Sequence, residues 1–414
     1  MSTNSYAAKY STLRDAKSFV LGLQHLIAMF GATVLVPILT GFNPSVALFT
    51  AGVGTLIFHF CTEFKVPVFL GSSFAFIPLV IQVRDMYSGD LAYAQGGIVV
   101  AGFLYVLLSF LVKAVGVAKI KKILPPQVVG PMIIVIGLTL VPVAVNMAST
   151  NYLLAAVTLS VALLVNFLGK GFIKQLSILL GVVSGYALSS MLGVLDVSGI
   201  QSAAFLEMPA FTFPKFSFEA IIIIAPVVLA VFMEHVGDIT TNGAVVGKNF
   251  IEDPGLNKTL MGDGLATLFA GLVGGPANTT YGENTGVLAI TKNYNPAILR
   301  ITAVFAILLG LVGKLGATLS SIPTSVMGGI SVMLFSMIAL IGVKNIKDNH
   351  VKMNAKNIVI MAAILIIGLA PSYVPSLPLA IPVPGTVISL SGLSLAAIVG
   401  VALNSIANAV TKKA

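Results

Sequence analysis

The sequence predicts an all-α integral membrane protein of 14 transmembrane segments, folded as a 7+7 inverted repeat with segments 3 and 10 broken by short extended stretches. Three observations carry that prediction. The 414 residues are 57% hydrophobic and only 9% charged, with a mean hydropathy of +1.02, whereas a soluble chain carries about a quarter charged residues. The basic residues sort to one side of the apolar segments. Local similarities recur at a spacing of about 200–210 residues.

In chain order the first seven segments fall near Ser18–Leu39, Val46–Cys61, Val66–Val83, Gly96–Val112, Val128–Val145, Leu153–Leu168 and Ile173–Leu192. The second seven fall near Glu219–Ile239, Leu260–Val273, Ala277–Thr291, Ile298–Val312, Val326–Val343, Ile358–Leu369 and Leu390–Ala407. With the N-terminus in the cytoplasm, 20 of the 23 Lys and Arg residues lie inside; Arg84, Lys215 and Lys314 fall outside. That is the positive-inside pattern, and one missed span would scramble it. Both termini are then cytoplasmic, in the cytoplasmic (inner) membrane, and the net charge of +9 reports topology rather than nucleic-acid binding. The polar, basic first seventeen residues ahead of a long apolar segment predict no cleaved signal peptide. The single cysteine, Cys61, excludes an intrachain disulfide. With no metal-ligand cluster and no phosphate-binding glycine loop in view, no cofactor is expected.

The repeat has three anchors. Gln24-His25 echoes Glu234-His235; Leu124-Pro125-Pro126 to Gly130 echoes Ser321-Ile322-Pro323 to Gly328; and Gly71 to Phe76, between Pro67 and Pro78, sits where Tyr281-Gly282-Glu283 sits in the second half. Seven crossings is an odd number, so the halves must be inverted in the membrane. Paired interrupted segments point to a transporter site at the midplane.

The tenth segment concentrates the polarity, from Gly274-Gly275-Pro276 through Asn278-Thr279-Thr280-Tyr281 to Glu283-Asn284-Thr285-Gly286. Fifteen residues from Ala277 to Thr291 make roughly 22 Å of helix against a hydrocarbon core of about 30 Å. An extended piece must make up the distance, and such backbone is tolerated at membrane depth only inside protein or along a cavity. Its half-helix partner, and that of segment 3, would present unpaired N–H groups and positive dipole ends suited to carbonyl oxygens.

Most acidic residues belong to loops, and Glu219 to the interface. Asp263, between Gly262 and Gly264, reads as a cap or hydrogen-bonding residue. Glu234, Asp238 and Glu283 remain. Glu234 and Asp238 are four apart and share a helix face; a carboxylate cluster without a basic neighbour is placed to take up a proton. His235 points about 100° away from Glu234 on a helix and reads, like His25 and His59, as a packing or interhelical hydrogen-bonding residue. Together these residues predict proton-coupled import of a small planar heterocycle. Carboxylates accept its N–H groups, backbone amides donate to its carbonyls, and Phe74, Tyr281 and Phe335 sandwich its ring. An anion carrier wants a basic residue at the centre, and an intramembrane enzyme wants a zinc-binding His pair or a nucleophilic Ser with a base; neither pattern is visible.

At these residues the chain resembles the nucleobase–cation symporters (nucleobase–ascorbate transporters), most closely their bacterial uracil permease branch. The resemblance covers nearly the whole chain and is densest at Gln24 to Gly31, Gly71 to Ile77, Glu234 to Gly237 and Asn278 to Thr291. Glu283-Asn284-Thr285-Gly286, followed by Thr291-Lys292, fits the family signature. It implies a core domain of segments 1–4 (residues 1–123) and 8–11 (216–320) with a gate domain of segments 5–7 (124–215) and 12–14 (321–414). It also implies proton symport without a cofactor, a lipid-embedded homodimer through the gate domains, and uracil or a related nucleobase as substrate. Carried over by position, Glu234 and Glu283 hold the base while Phe74, Tyr281 and Gly282 line its pocket. Two departures stand out. Asp238 occupies a place where the uracil branch has His and the xanthine and purine branches have Asp, and Phe335 stands where a uracil permease can show Tyr. Uracil is the expected substrate, with a xanthine or purine base as the alternative and an anion on the same scaffold behind it.

Overall fold

In the computed structural model, residues 16–117, 119, 125–374, 376, 377, 379–382 and 389–411 are described. Lys9, Arg14, Lys121, Lys122, Lys412 and Lys413, counted above for topology, and Leu124 of the repeat lie outside them.

The first half runs α1 (Ala16–Thr40), α2 (Pro44–Cys61), β1 (Leu70–Ser72), α3 (Ile77–Met86), α4 (Ala92–Val115), α5 (Pro126–Ala148), α6 (Tyr152–Leu168) and α7 (Ser177–Met191). The second runs α8 (Phe218–Val246), α9 (Leu256–Val273), β2 (Asn278–Thr280), α10 (Gly282–Thr291), α11 (Pro296–Gly310), α12 (Thr324–Asp348), α13 (Ala355–Tyr373), a small hairpin of β3 (Ala380–Pro382) and β4 (Ser389–Ser391), and α14 (Gly392–Thr411). Helix starts follow local chemistry. Asn43, Asn151, Ser217, Asn295 and Asn354 accept N–H groups of the first turns that follow them, the usual use of an Asn or Ser cap. Extended prolines, Pro125 and Pro323, precede α5 and α12. Pro226 turns α8 into one turn of 3-10 helix at Ala225–Val227, as an interior proline that cannot donate an N–H does.

Among the described residues eight helices are long and apolar enough to cross a membrane, and a ninth span is available if α11 and Gly313–Ser320, bent by 80°, act together. The protein is a multi-pass membrane protein. Helices α3 and α10 have ten residues each, roughly 15 Å or about half of a hydrocarbon core. The extended segments ahead of them supply further length.

Packing divides along recognisable lines. Helix α12 lies along α5, with Gly130 and Gly342 letting their backbones touch: a Cβ on Gly342 would sit 2.6 Å from the Gly130 carbonyl. Such small-residue contacts are how membrane helices approach closely. Helix α9 packs on α2 and α4, α11 on α1 and α2, α6 on α7 and α12, and α13 on α5 and α14. Hydropathy placed the end of the eighth segment at Ile239, but the helix continues to Val246. The reason is that Thr240, Thr241 and Asn242 lower the hydropathy without breaking the helix.

Candidate functional site

Strands β1 and β2 pair antiparallel deep in the molecule, Leu70 opposite Thr280, Gly71 opposite Thr279 and Ser72 opposite Asn278. Backbone bonds from Ser73 to Ala277 (2.8 Å) and from Tyr281 to Phe69 (3.1 Å) extend the pairing at both ends. All six strand residues are buried, so their polar groups need protein partners. Helix side chains and helix carbonyls supply them. Thr55 Oγ1 accepts from Leu70 N (2.9 Å), Thr267 donates to the Asn278 carbonyl (2.9 Å), Ser72 donates to the Thr33 carbonyl (3.0 Å), and the Asn278 amide donates to the Thr50 carbonyl (3.1 Å).

Gly71 is required here. A Cβ on it would lie 2.4 Å from the Tyr281 ring and 2.8 Å from Thr33 Oγ1. Bare of a side chain, it lets Tyr281 lie across β1 and donate its phenol to the Ser72 carbonyl at 2.9 Å. Tyr281 is 4% exposed and Phe74 9%, in one apolar cluster. Phe335 shares that cluster from α12 but is entirely buried, so it backs the site rather than facing an opening.

Two helical elements start at the strand ends. The turn of 3-10 helix at Phe74–Phe76, which leads into α3, follows Ser73; α10 follows Tyr281; neither start is capped by a side chain. First-turn N–H groups left in this way are ready donors at the positive end of a helix. Gly282 is exposed and a Cβ there would meet nothing within 4 Å. The same openness holds at Gly237 on α8, between Glu234 and Asp238. Glu234, Asp238 and Glu283 are all half-buried and lie within electrostatic reach of one another. The fold thus gathers three carboxyl groups, two uncapped helix starts and two aromatic side chains at the strand pair.

Each carboxylate is held differently. Thr280 of β2 donates to Asp238 Oδ2 at 2.8 Å. Glu283 occupies the first turn of α10, where a negative charge is favoured by the helix dipole. His235, next to Glu234, turns to α9 instead, with Nε2 2.9 Å from Thr259 Oγ1 and Nδ1 3.1 Å from Asp263 Oδ2. Asp263 is wholly buried.

Sequence reasoning left out several participants. Asn284 donates to the His25 carbonyl at 3.1 Å, fixing α10 to α1. Asn242 donates to the Pro67 carbonyl (3.0 Å) and to Thr285 Oγ1 (3.1 Å), tying α8 to both broken segments. The signal available for them was polarity inside apolar runs, which carries no partner information. His59 bonds the Val68 carbonyl through Nε2 at 2.9 Å, ahead of β1.

A chain that spans the membrane many times and gathers half-buried carboxylates and uncapped helix starts between two broken segments is a permease, not an enzyme. It belongs to the Permease family, whose model (Xan_ur_permease) matches residues 16–377. It is 43% identical over 402 residues to a Pasteurella multocida protein named "Probable uracil permease", covering 94% of each chain. It is 40% identical over 402 residues to the uracil permease of Bacillus caldolyticus, covering 93% of this chain and 91% of that one. Among solved structures it resembles the transmembrane domain of the cyanobacterial bicarbonate transporter BicA, with a TM-score of 0.64 over 95% of this chain and 98% of that one at 16% identity. That likeness concerns the fold alone.

Proposed function

We propose that this permease takes up uracil across the cytoplasmic membrane together with protons, by alternating access. The observation that carries the reading is the convergence of Glu234, Asp238 and Glu283 with the starts of two broken helices at the β1–β2 pair. Uracil is a flat ring with N–H donors and carbonyl acceptors in alternation. Carboxylates from α8 and α10 accept the N–H groups, and the open N–H groups near Gly282 donate to a carbonyl. Phe74 and Tyr281 bound the ring faces, with Phe335 behind them. The uracil permeases among the relatives support the substrate.

Proton coupling follows from the same groups. Glu234, Asp238 and Glu283 crowd like charges, and neutralising one of them relieves both repulsion and desolvation. Uptake of a proton with the base lets the loaded site cross the membrane with less buried charge.

The 7+7 inverted arrangement gains support from packing. Contacts of α2 with α11 mirror those of α9 with α4, α1 with α11 mirrors α8 with α4, α6 with α7 mirrors α13 with α14, and α6 with α12 mirrors α13 with α5. Each pair is related by a shift of seven segments. A core (1–123 and 216–320) would carry the site, and a gate (124–215 and 321–414) would form the opposing wall. Both termini would be cytoplasmic, and the gate helices would join two copies.

Asp238 gives the alternative its footing: a purine base such as xanthine would find the same carboxylate pair. Binding distinguishes them. Uracil should raise the thermal stability of the purified protein more than xanthine does, and Glu283→Gln should remove that effect. Stabilisation by xanthine alone would overturn the uracil assignment.

A further inference from the structure

The fold also contains a proton that the transport reading does not use. The Thr259 hydroxyl lies 3.0 Å from the Leu256 carbonyl and 2.9 Å from His235 Nε2, so its one hydrogen has an acceptor in either direction. The other ring nitrogen, Nδ1, faces Asp263 Oδ2 at 3.1 Å, with both side chains entirely buried. Two acceptors cannot face each other there without a large penalty, so a hydrogen must lie between them.

The surroundings keep it there. Gly262 and Gly264 flank Asp263; a Cβ on Gly262 would lie 2.9 Å from Phe58, and one on Gly264 2.7 Å from Tyr105 and 3.0 Å from the Gly102 carbonyl. The ionisable groups that face the pair are Glu234 and Asp238 on α8 and Tyr105 on α4. None of these is basic. Losing the hydrogen would seal one further negative charge beside two carboxyl groups. Glu234 and Asp238, by contrast, are only half-buried.

We propose that the His235–Asp263 contact holds one proton throughout the transport cycle, and that this locked pair positions Glu234 and Asp238 without supplying the coupling proton. Thr259 and Asp263 are four residues apart on α9 and grip both ring nitrogens of His235. The grip fixes the rotation of α8 about its axis, and with it the direction in which the neighbouring Glu234 and Asp238 point. His235 and Asp263 are positioning residues in this scheme. The proposal rests on the proton-coupled reading only for its transport arm.

The test replaces Asp263 with an amide that cannot titrate and with an apolar isostere. Asp263→Asn keeps a donor toward Nδ1, so uptake should stay within about twofold of the parent, with an unchanged pH profile. Asp263→Leu removes the donor and should lower uptake by about tenfold or more. A shifted pH profile or lost gradient-driven accumulation in Asp263→Asn would overturn the proposal, because the carboxyl would then carry the coupling proton. Infrared spectra of the parent minus Asp263→Asn give a readout independent of transport. The Asp263 signal should not change between about pH 5 and about pH 9; a signal that titrates in that range would equally overturn it. If the parent accumulates no base under a proton gradient while that signal stays constant, the transport reading fails and the locked proton stands.

Discussion

Thr280 on β2 donates a 2.8 Å hydrogen bond to Asp238 Oδ2 on α8, so the central strand pair and the carboxylate-bearing helix are joined by one side-chain contact. The bond stabilises the carboxylate in one orientation. Thr280→Val should therefore lower uptake by about tenfold or more, the worth of one hydrogen bond to a charged group. Thr280→Ser should restore most of it. The check is the initial uptake rate of both variants at equal expression.

Gly71 and Tyr281 give a second prediction. A Cβ at position 71 overlaps the Tyr281 ring at 2.4 Å, in a site too tightly built to yield cheaply. Gly71→Ala should cost about 1–3 kcal/mol of stability and break the Tyr281–Ser72 bond. Tyr281→Phe should lose the bond alone. Thermal unfolding should then rank the parent above Tyr281→Phe and Tyr281→Phe above Gly71→Ala.

The carboxylates should separate by role. Glu234→Gln and Glu283→Gln each remove an acceptor for the substrate and should reduce binding by about tenfold or more. Asp238→Asn, which keeps a partner for Thr280, should bind the base yet alter the pH dependence of uptake. Titration calorimetry and uptake at several pH values distinguish these outcomes.

Outside the membrane-spanning helices, Glu63 in the turn after α2 meets Lys258 and, at 2.9 Å, Lys65, which also reaches Asp253 at 2.6 Å. Hydrogen bonds from Lys258 and Lys65 hold the Glu63 carboxyl down at about 2. Because its folded value lies below the unfolded value of about 4.3, the contribution is complete above about pH 4.3 and is lost as pH falls toward about 2. Being exposed, the cluster is screened by salt. Glu63→Gln should lower the melting temperature slightly at neutral pH and low salt, and the difference should shrink in acid or in salt.

Much of this was legible in the residues. Hydropathy marked the long helices, and glycines with Pro67 and Pro78 marked where segment 3 could not remain helical. Asn278-Thr279-Thr280 read as an extended piece ahead of a short helix, and it is β2 followed by α10. What could not be read was pairing. Leu70 and Thr280 are far apart in the chain, and nothing local states that they meet. The same holds for Asn284 with His25 and for His235 with Asp263. In helices that are apolar nearly all round, periodicity gives little information about rotation, so partners of buried polar groups emerge only when the helices are packed. Phe335 illustrates the limit: the sequence marks an aromatic residue on α12, and only the packing shows that it is wholly buried.

The most direct test of the central claim is uptake into vesicles holding the purified protein, with labelled uracil and labelled xanthine in parallel, under imposed proton gradients of either sign. Uracil should accumulate only down an inward proton gradient, cease with a protonophore, and fail with Glu283→Gln. Accumulation that ignores the gradient, or transport of xanthine with uracil refused, would contradict the account.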